Sequence, residues 1–160
     1  MSEVEKYTLE EAHKEFAKQT NGQVWKLLEK PERTAGEDEE MVLTAYACLY
    51  HWLYAGTEVN RQRGEWLIAR VHTVLGEAAL ALQHAKRCLE LTEAYRDQMQ
   101  DFDIAYAYEG MARTNALGGD RAIARRYLDM AEAAGATIAN AEDKEIYLGD
   151  LKGGAWYGIR

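Results

Sequence analysis

Proline is almost absent from this chain: Pro31 is the only one in 160 residues. Proline breaks helices, so its scarcity beside abundant alanine, leucine and glutamate predicts an almost entirely helical protein. Cysteine is equally scarce. Cys48 and Cys88 stand alone in apolar, helical stretches with no framework spacing. That excludes a disulfide-stapled secreted scaffold and predicts buried, reduced thiols in a cytoplasmic protein. Positive charge is in deficit, with 19 Lys and Arg against 27 Asp and Glu and a formal net charge of −8. Phosphate recognition needs a basic surface, so the balance argues against a nucleic-acid partner. The acidic, polar start Met1 to Lys6 predicts that there is no secretory leader.

Long hydrophobic runs are missing too. The longest uncharged stretch, Met41 to Thr57, holds His51, Thr44, Thr57 and three tyrosines. It is shorter than the roughly 20 residues a bilayer span needs, so it reads as a buried core helix and no membrane is expected. Reactive motifs are lacking as well. There is no nucleophile elbow, phosphate-cradling loop or dinucleotide fingerprint. The four histidines, His13, His51, His72 and His84, include no pair three or four apart, so none shares a helix face as paired metal ligands do. No metal and no cofactor is expected. Neither cysteine stands at a helix N-terminus, where its pKa would fall.

What is present is a repeated pattern. Leu75-Gly76-Glu77-Ala78-Ala79-Leu80-Ala81-Leu82 and Gly118-Gly119-Asp120-Arg121-Ala122-Ile123-Ala124-Arg125 each hold a turn, then an acidic residue, then an alanine five positions past Gly76 or Gly119. The register also pairs Ala69 with Ala112 and Cys88 with Ala131. Small residues recurring at matched depths let helices approach closely, which predicts stacked helical hairpins.

Punctuation along the chain divides it into six or seven helices and no strand. A capping box, Thr8-x-x-Glu11, opens a helix to about Glu29 with Phe16, Val24, Trp25 and Leu28 inward, and Pro31 stops it. A second helix begins around Glu37 to Glu40 and ends at Tyr54 or Ala55 before Gly56. Others follow over Val59 to Leu75, Ala78 to Tyr95, Asp101 to Leu117, Asp120 to Ala134 with Gly135 as terminator, and Ala141 to Leu151. Trp156, Tyr157 and Ile159 are too apolar for a free tail.

The run from Leu75 to Leu91 resembles the second helix of a tetratricopeptide repeat, and Gly119 to Glu132 resembles another. The likeness is best over Val59 to Gly135 and poorer over the first 56 residues. The period exceeds the usual 34 or so residues, and the family's closing proline is absent. The chain, around Asp101 to Glu109 in particular, also resembles uncharacterised bacterial proteins of this length, which implies no function. The family resemblance implies an all-α fold, a right-handed stack of antiparallel hairpins. It would form one domain over 1–160, with a degenerate hairpin at 7–56, clear repeats at 59–97 and 101–135, and a cap at 141–160. In that family, positions two, five and nine of each first helix line a concave groove. Here they are Arg63, Trp66 and Arg70, then Tyr106, Glu109 and Arg113. His72 stands where the family packs a tyrosine.

Three arginines and two aromatics on one face suit an acidic or carboxylate-bearing partner, because a guanidinium grips a carboxylate in two places. Trp66 could equally be ordinary packing, and Arg113 could pair with Glu109 one turn earlier. The leading expectation is a protein- or peptide-binding module, with a homo-oligomer possible. The alternative is a small helical enzyme or small-molecule sensor whose pocket gathers His51, Trp52, His72, Asp101 and Asp103. For the acidic cluster Asp97, Asp101 and Asp103, cation binding competes with simple stabilisation at a helix N-terminus.

Overall fold

A computed structural model describes residues 3–160. The described residues form seven α-helices and no strand: α1 (Leu9–Leu28), α2 (Ala35–Ala55), α3 (Glu58–Val74), α4 (Ala78–Ala94), α5 (Asp101–Leu117), α6 (Arg121–Ala136) and α7 (Ala141–Lys152). One 3-10 turn, Arg96–Gln98, precedes α5. Helices pack hardest on their chain neighbours, α1 on α2, α3 on α4 and α5 on α6, and the pairs stack through α2 on α3, α4 on α5 and α3 on α5.

Local chemistry fixes most boundaries. The Thr8–Glu11 capping box closes reciprocally, Thr8 N donating to Glu11 Oε2 at 2.8 Å and Glu11 N to Thr8 Oγ1 at 3.1 Å. A second box, Thr34 with Glu37, starts α2 at Ala35, ahead of the acidic run that had been expected to open it. The repeat register is real in space. Gly76 and Gly119 both take left-handed backbone, φ +76° and +87°. Each turn closes alike, Glu77 N donating to His72 O at 2.9 Å and Asp120 N to Asn115 O at 3.0 Å, the 6→1 bond of a Schellman motif. Ala69, Ala112, Ala81, Ala124, Cys88 and Ala131 are all buried.

Three expectations are corrected. Gly135 does not end α6, which continues to Ala136. A side chain at Gly135 would collide with the Tyr147 ring, so the glycine serves close approach of α6 and α7. Phe16 does not face inward; it is half exposed and packs on His51. The uncharged α2 buries only one face, through Met41, Thr44, Ala45 and Cys48, while Leu43, Tyr46, Tyr50, Leu53 and Tyr54 are exposed. An uncharged composition marks a helix as apolar without saying how many neighbours it has.

The C-terminal segment folds back as expected. Trp156 and Ile159 are buried in the core shared by α5, α6 and α7, and Trp156 Nε1 donates to Leu151 O at 2.9 Å. Both cysteines are free and buried, and burial raises both thiol pKa values. No described helix is long and apolar enough to cross a membrane.

Candidate functional site

A cavity of about 440 Å³ opens between α1, α3, α5 and α7. Helix α1 supplies Asn21 and Trp25; α3 supplies Gln62, Arg63, Trp66 and Leu67. Phe102, Asp103 and Tyr106 come from α5, and Ile146 and Asp150 from α7. The stacking of repeats brings equivalent positions of α3 and α5 together, so residues 43 apart meet: Trp66 Nε1 donates to Glu109 Oε2 at 2.9 Å. Trp25 stacks on Trp66 with centroids 6.0 Å apart, and Tyr106 meets Trp66 edge-on at 5.2 Å.

Nearly every polar wall group is already engaged. Arg63 donates from Nε and Nη2 to the two Asp103 oxygens at 2.8 and 3.1 Å, and its guanidinium lies 5.2 Å from the Phe102 centroid. Gln62 Nε2 donates to Thr92 Oγ1 and Asp103 O, both at 3.0 Å. Tyr106 donates to Asp150 Oδ2 at 2.5 Å. Burial, then that carboxylate, pushes the Tyr106 phenol far above its ordinary pKa. The hydroxyl is a fixed donor and not a base.

Of the six expected groove residues, Arg63, Trp66 and Tyr106 line the cavity. Glu109 and Arg113 lie beneath it, both 2 % exposed, and pair with each other. Arg113 also donates to Asp150 O at 2.6 Å and Ala155 O at 3.1 Å, and its guanidinium stacks 4.1 Å from the Trp156 centroid. Burial lowers its pKa, with Glu109 opposing. Arg70 lies outside the cavity wall but beside Arg113: both guanidiniums flank Gly154, and the two line a small crevice with Trp66 and Glu109. The anticipated positive face is therefore split: Arg63 is neutralised by Asp103, while Arg113 is buried under the C-terminal segment with Arg70 beside it.

The residues of the alternative pocket do not converge either. His51 faces His13, Nδ1 to Nδ1 2.9 Å, on the α1–α2 hairpin. Trp52 lies against Gly56. Asp101 accepts from Ala139 N at 2.9 Å, tying α5 to the loop before α7. Asp103 caps α5 through Gln100 N and holds Arg63. These are helix-end and packing roles, as the stabilising reading of the acidic cluster has it.

His72 belongs to a part-buried chain, exposed only at Tyr46, that the sequence left hidden. Tyr46 Oη sits 2.9 Å from Nε2 of both His72 and His84, and His84 Nδ1 is 2.6 Å from Glu65 Oε2. A hydroxyl has one proton to give. One assignment therefore runs His72 Nε2–H to Tyr46, Tyr46 to His84 and His84 Nδ1–H to Glu65, leaving His72 Nδ1 unprotonated. That nitrogen makes no hydrogen bond among the described residues, and the Glu77 carboxylate lies 3.4 Å from it. The chain ties α2, α3 and α4 together. Among the described residues, no three His, Cys, Asp or Glu side chains converge as a metal site.

Sequence reasoning missed Phe102, Ile146 and Asp150 as wall residues, and placed Trp25 in the core without its cavity role. Only the doubled aromatic Trp25–Trp66 left a trace, as two large residues on first helices of successive hairpins. No family model matches the chain, and neither the curated proteins nor the solved structures yield a similar one.

Proposed function

We infer that this chain is a protein- or peptide-binding module, a right-handed tetratricopeptide-like stack that works in the cytoplasm. The observation that carries the reading is the cavity itself. It is open, holds about 440 Å³ and is walled by Trp25, Trp66, Phe102 and Tyr106 from three helices. Concave, mostly apolar clefts with a few fixed polar groups are what recognition sites look like. Aromatic side chains also dominate the energetics of such contacts. Arg63 and Asp103 are paired and Tyr106 is held as a fixed donor to Asp150, an arrangement that favours binding over bond-breaking chemistry. Of the three arginines first expected to hold an acidic partner, Arg63 and Arg113 are already engaged by carboxylates of the chain itself.

The test is selection of a displayed random-peptide library on the folded protein and on Ile146→Trp. Ile146 is exposed at the cavity wall, so a tryptophan there plugs the site without disturbing the core. Enriched peptides that lose binding to I146W support the reading. Enrichment that is equal on both proteins, or absent from both, overturns it.

A further inference from the structure

We propose that the cavity between α1, α3, α5 and α7 selects a basic side chain, lysine or arginine, of its peptide partner, with Asp150 as its counter-ion. This rests on the binding-module reading and adds the chemical class of the occupant.

Charge decides the class. Three ionisable groups of full charge line the cavity: Arg63, Asp103 and Asp150. Arg63 and Asp103 cancel in a two-point ion pair, 2.8 and 3.1 Å. Asp150 is exposed and, among the described residues, forms no ion pair. Its Oδ2 is held by the Tyr106 hydroxyl, which fixes the carboxylate at the cavity wall while Oδ1 keeps its lone pairs for an incoming donor. The wall thus carries one uncompensated negative charge amid aromatic rings. A cation gains twice there, from the carboxylate and from the negative faces of the rings.

The chain already shows this chemistry. Arg63 lies over Phe102 inside the cavity, and Arg113 lies over Trp156 beside it. A lysine or arginine stem would lie along Leu67 and Ile146 while its head reached Asp150, the usual division of an amphipathic side chain. The locked Arg63 opposes a second cation, but its charge is spent on Asp103. At longer range the net charge of −8 draws basic partners and repels acidic ones.

Tripeptides with blocked ends, Gly-Lys-Gly and Gly-Arg-Gly, are titrated into the full chain and followed by tryptophan fluorescence and calorimetry. The matched neutral isosteres carry norleucine and citrulline. The basic peptides should bind about tenfold more tightly than their isosteres, a ratio typical of one added charge contact. Asp150→Asn should cut that ratio to the few-fold or less that the aromatic faces alone supply, and a ratio that stays near tenfold in this variant overturns Asp150 as the counter-ion. Basic and neutral peptides that bind alike to the wild type overturn the proposal while leaving the module reading intact, and this comparison needs no variant to fold. No binding by any peptide also overturns it; if library peptides still lose binding to I146W, the module reading survives alone. Butylammonium binding as tightly as Gly-Lys-Gly would assign the site to a free amine and overturn the peptide source.

Discussion

At the scale of single residues, the Glu109–Arg113 pair shows what partners do to a side chain. The sequence offered Arg113 two fates, a groove ligand or a partner for Glu109 one turn away, and the structure shows the second. The i,i+4 spacing was legible; the lid of Gly154 to Trp156 that buries the pair was not, because nothing local ties residue 113 to residue 155. Removing one partner of such a pair strands the other charge. Arg113→Met should cost about 3–5 kcal/mol in urea unfolding. Adding Glu109→Gln removes the stranded charge and keeps an amide oxygen for Trp66 Nε1. The double variant should recover most of the loss, and equal losses in single and double variants would show that Glu109 is not stranded.

Elements were the most legible level. Caps, the Gly76 and Gly119 turns and the single proline mark helix ends because they act within four residues of themselves. Where the reading failed, the cause lay outside the element. Gly135 looked like a terminator, but it is spent on Tyr147, a residue of the next helix. The C-terminal segment behaves as an eighth element. Trp156 and Ile159 fill the end of the stack, and Arg160 Nη1 donates to Leu151 O at 2.8 Å. Full burial of a large apolar side chain stabilises by about 1.5–3 kcal/mol. Deleting residues 155–160 should therefore lower the melting temperature clearly in a thermal scan, and a truncated protein that melts with the full chain would refute this account.

The whole molecule couples its stability to pH through histidine. His72 is buried against Tyr46 and His84, and burial depresses its pKa, with His84 adding to the effect and the Glu77 carboxylate opposing it. His51, beside His13, is depressed for the same two kinds of reason. In both cases the unfolded chain binds the proton more readily than the folded one. Stability therefore rises with pH towards the ordinary histidine value, about 6.5, and is lost as pH falls below it. Unfolding free energy measured from pH 5 to 8 should climb and then level, and His72→Gln should flatten the climb. A slope unaffected by H72Q would place the coupling elsewhere. Nothing in the sequence foretold it, since His72, His84, Tyr46 and Glu65 come from three helices. The cavity was half legible for a related reason. The repeat register found Arg63, Trp66 and Tyr106 on successive first helices, but Trp25, Ile146 and Asp150 enter from helices outside the repeat.

Helix α5 has most of its length sealed. Eleven residues between Asp103 and Ala116 are buried, among them Glu109, Arg113 and Asn115. It is touched by α3, α4, α6 and α7, whereas α1 has α2 as its main neighbour. Substitutions are consequently not equivalent along the chain. A change in α1 falls mainly on α2 and on the α3 residues that Val24 and Trp25 meet. A change in α5 must be accommodated by four helices at once, so divergence among descendants of this sequence will gather at the ends of the stack and in α1, while α5 drifts slowest.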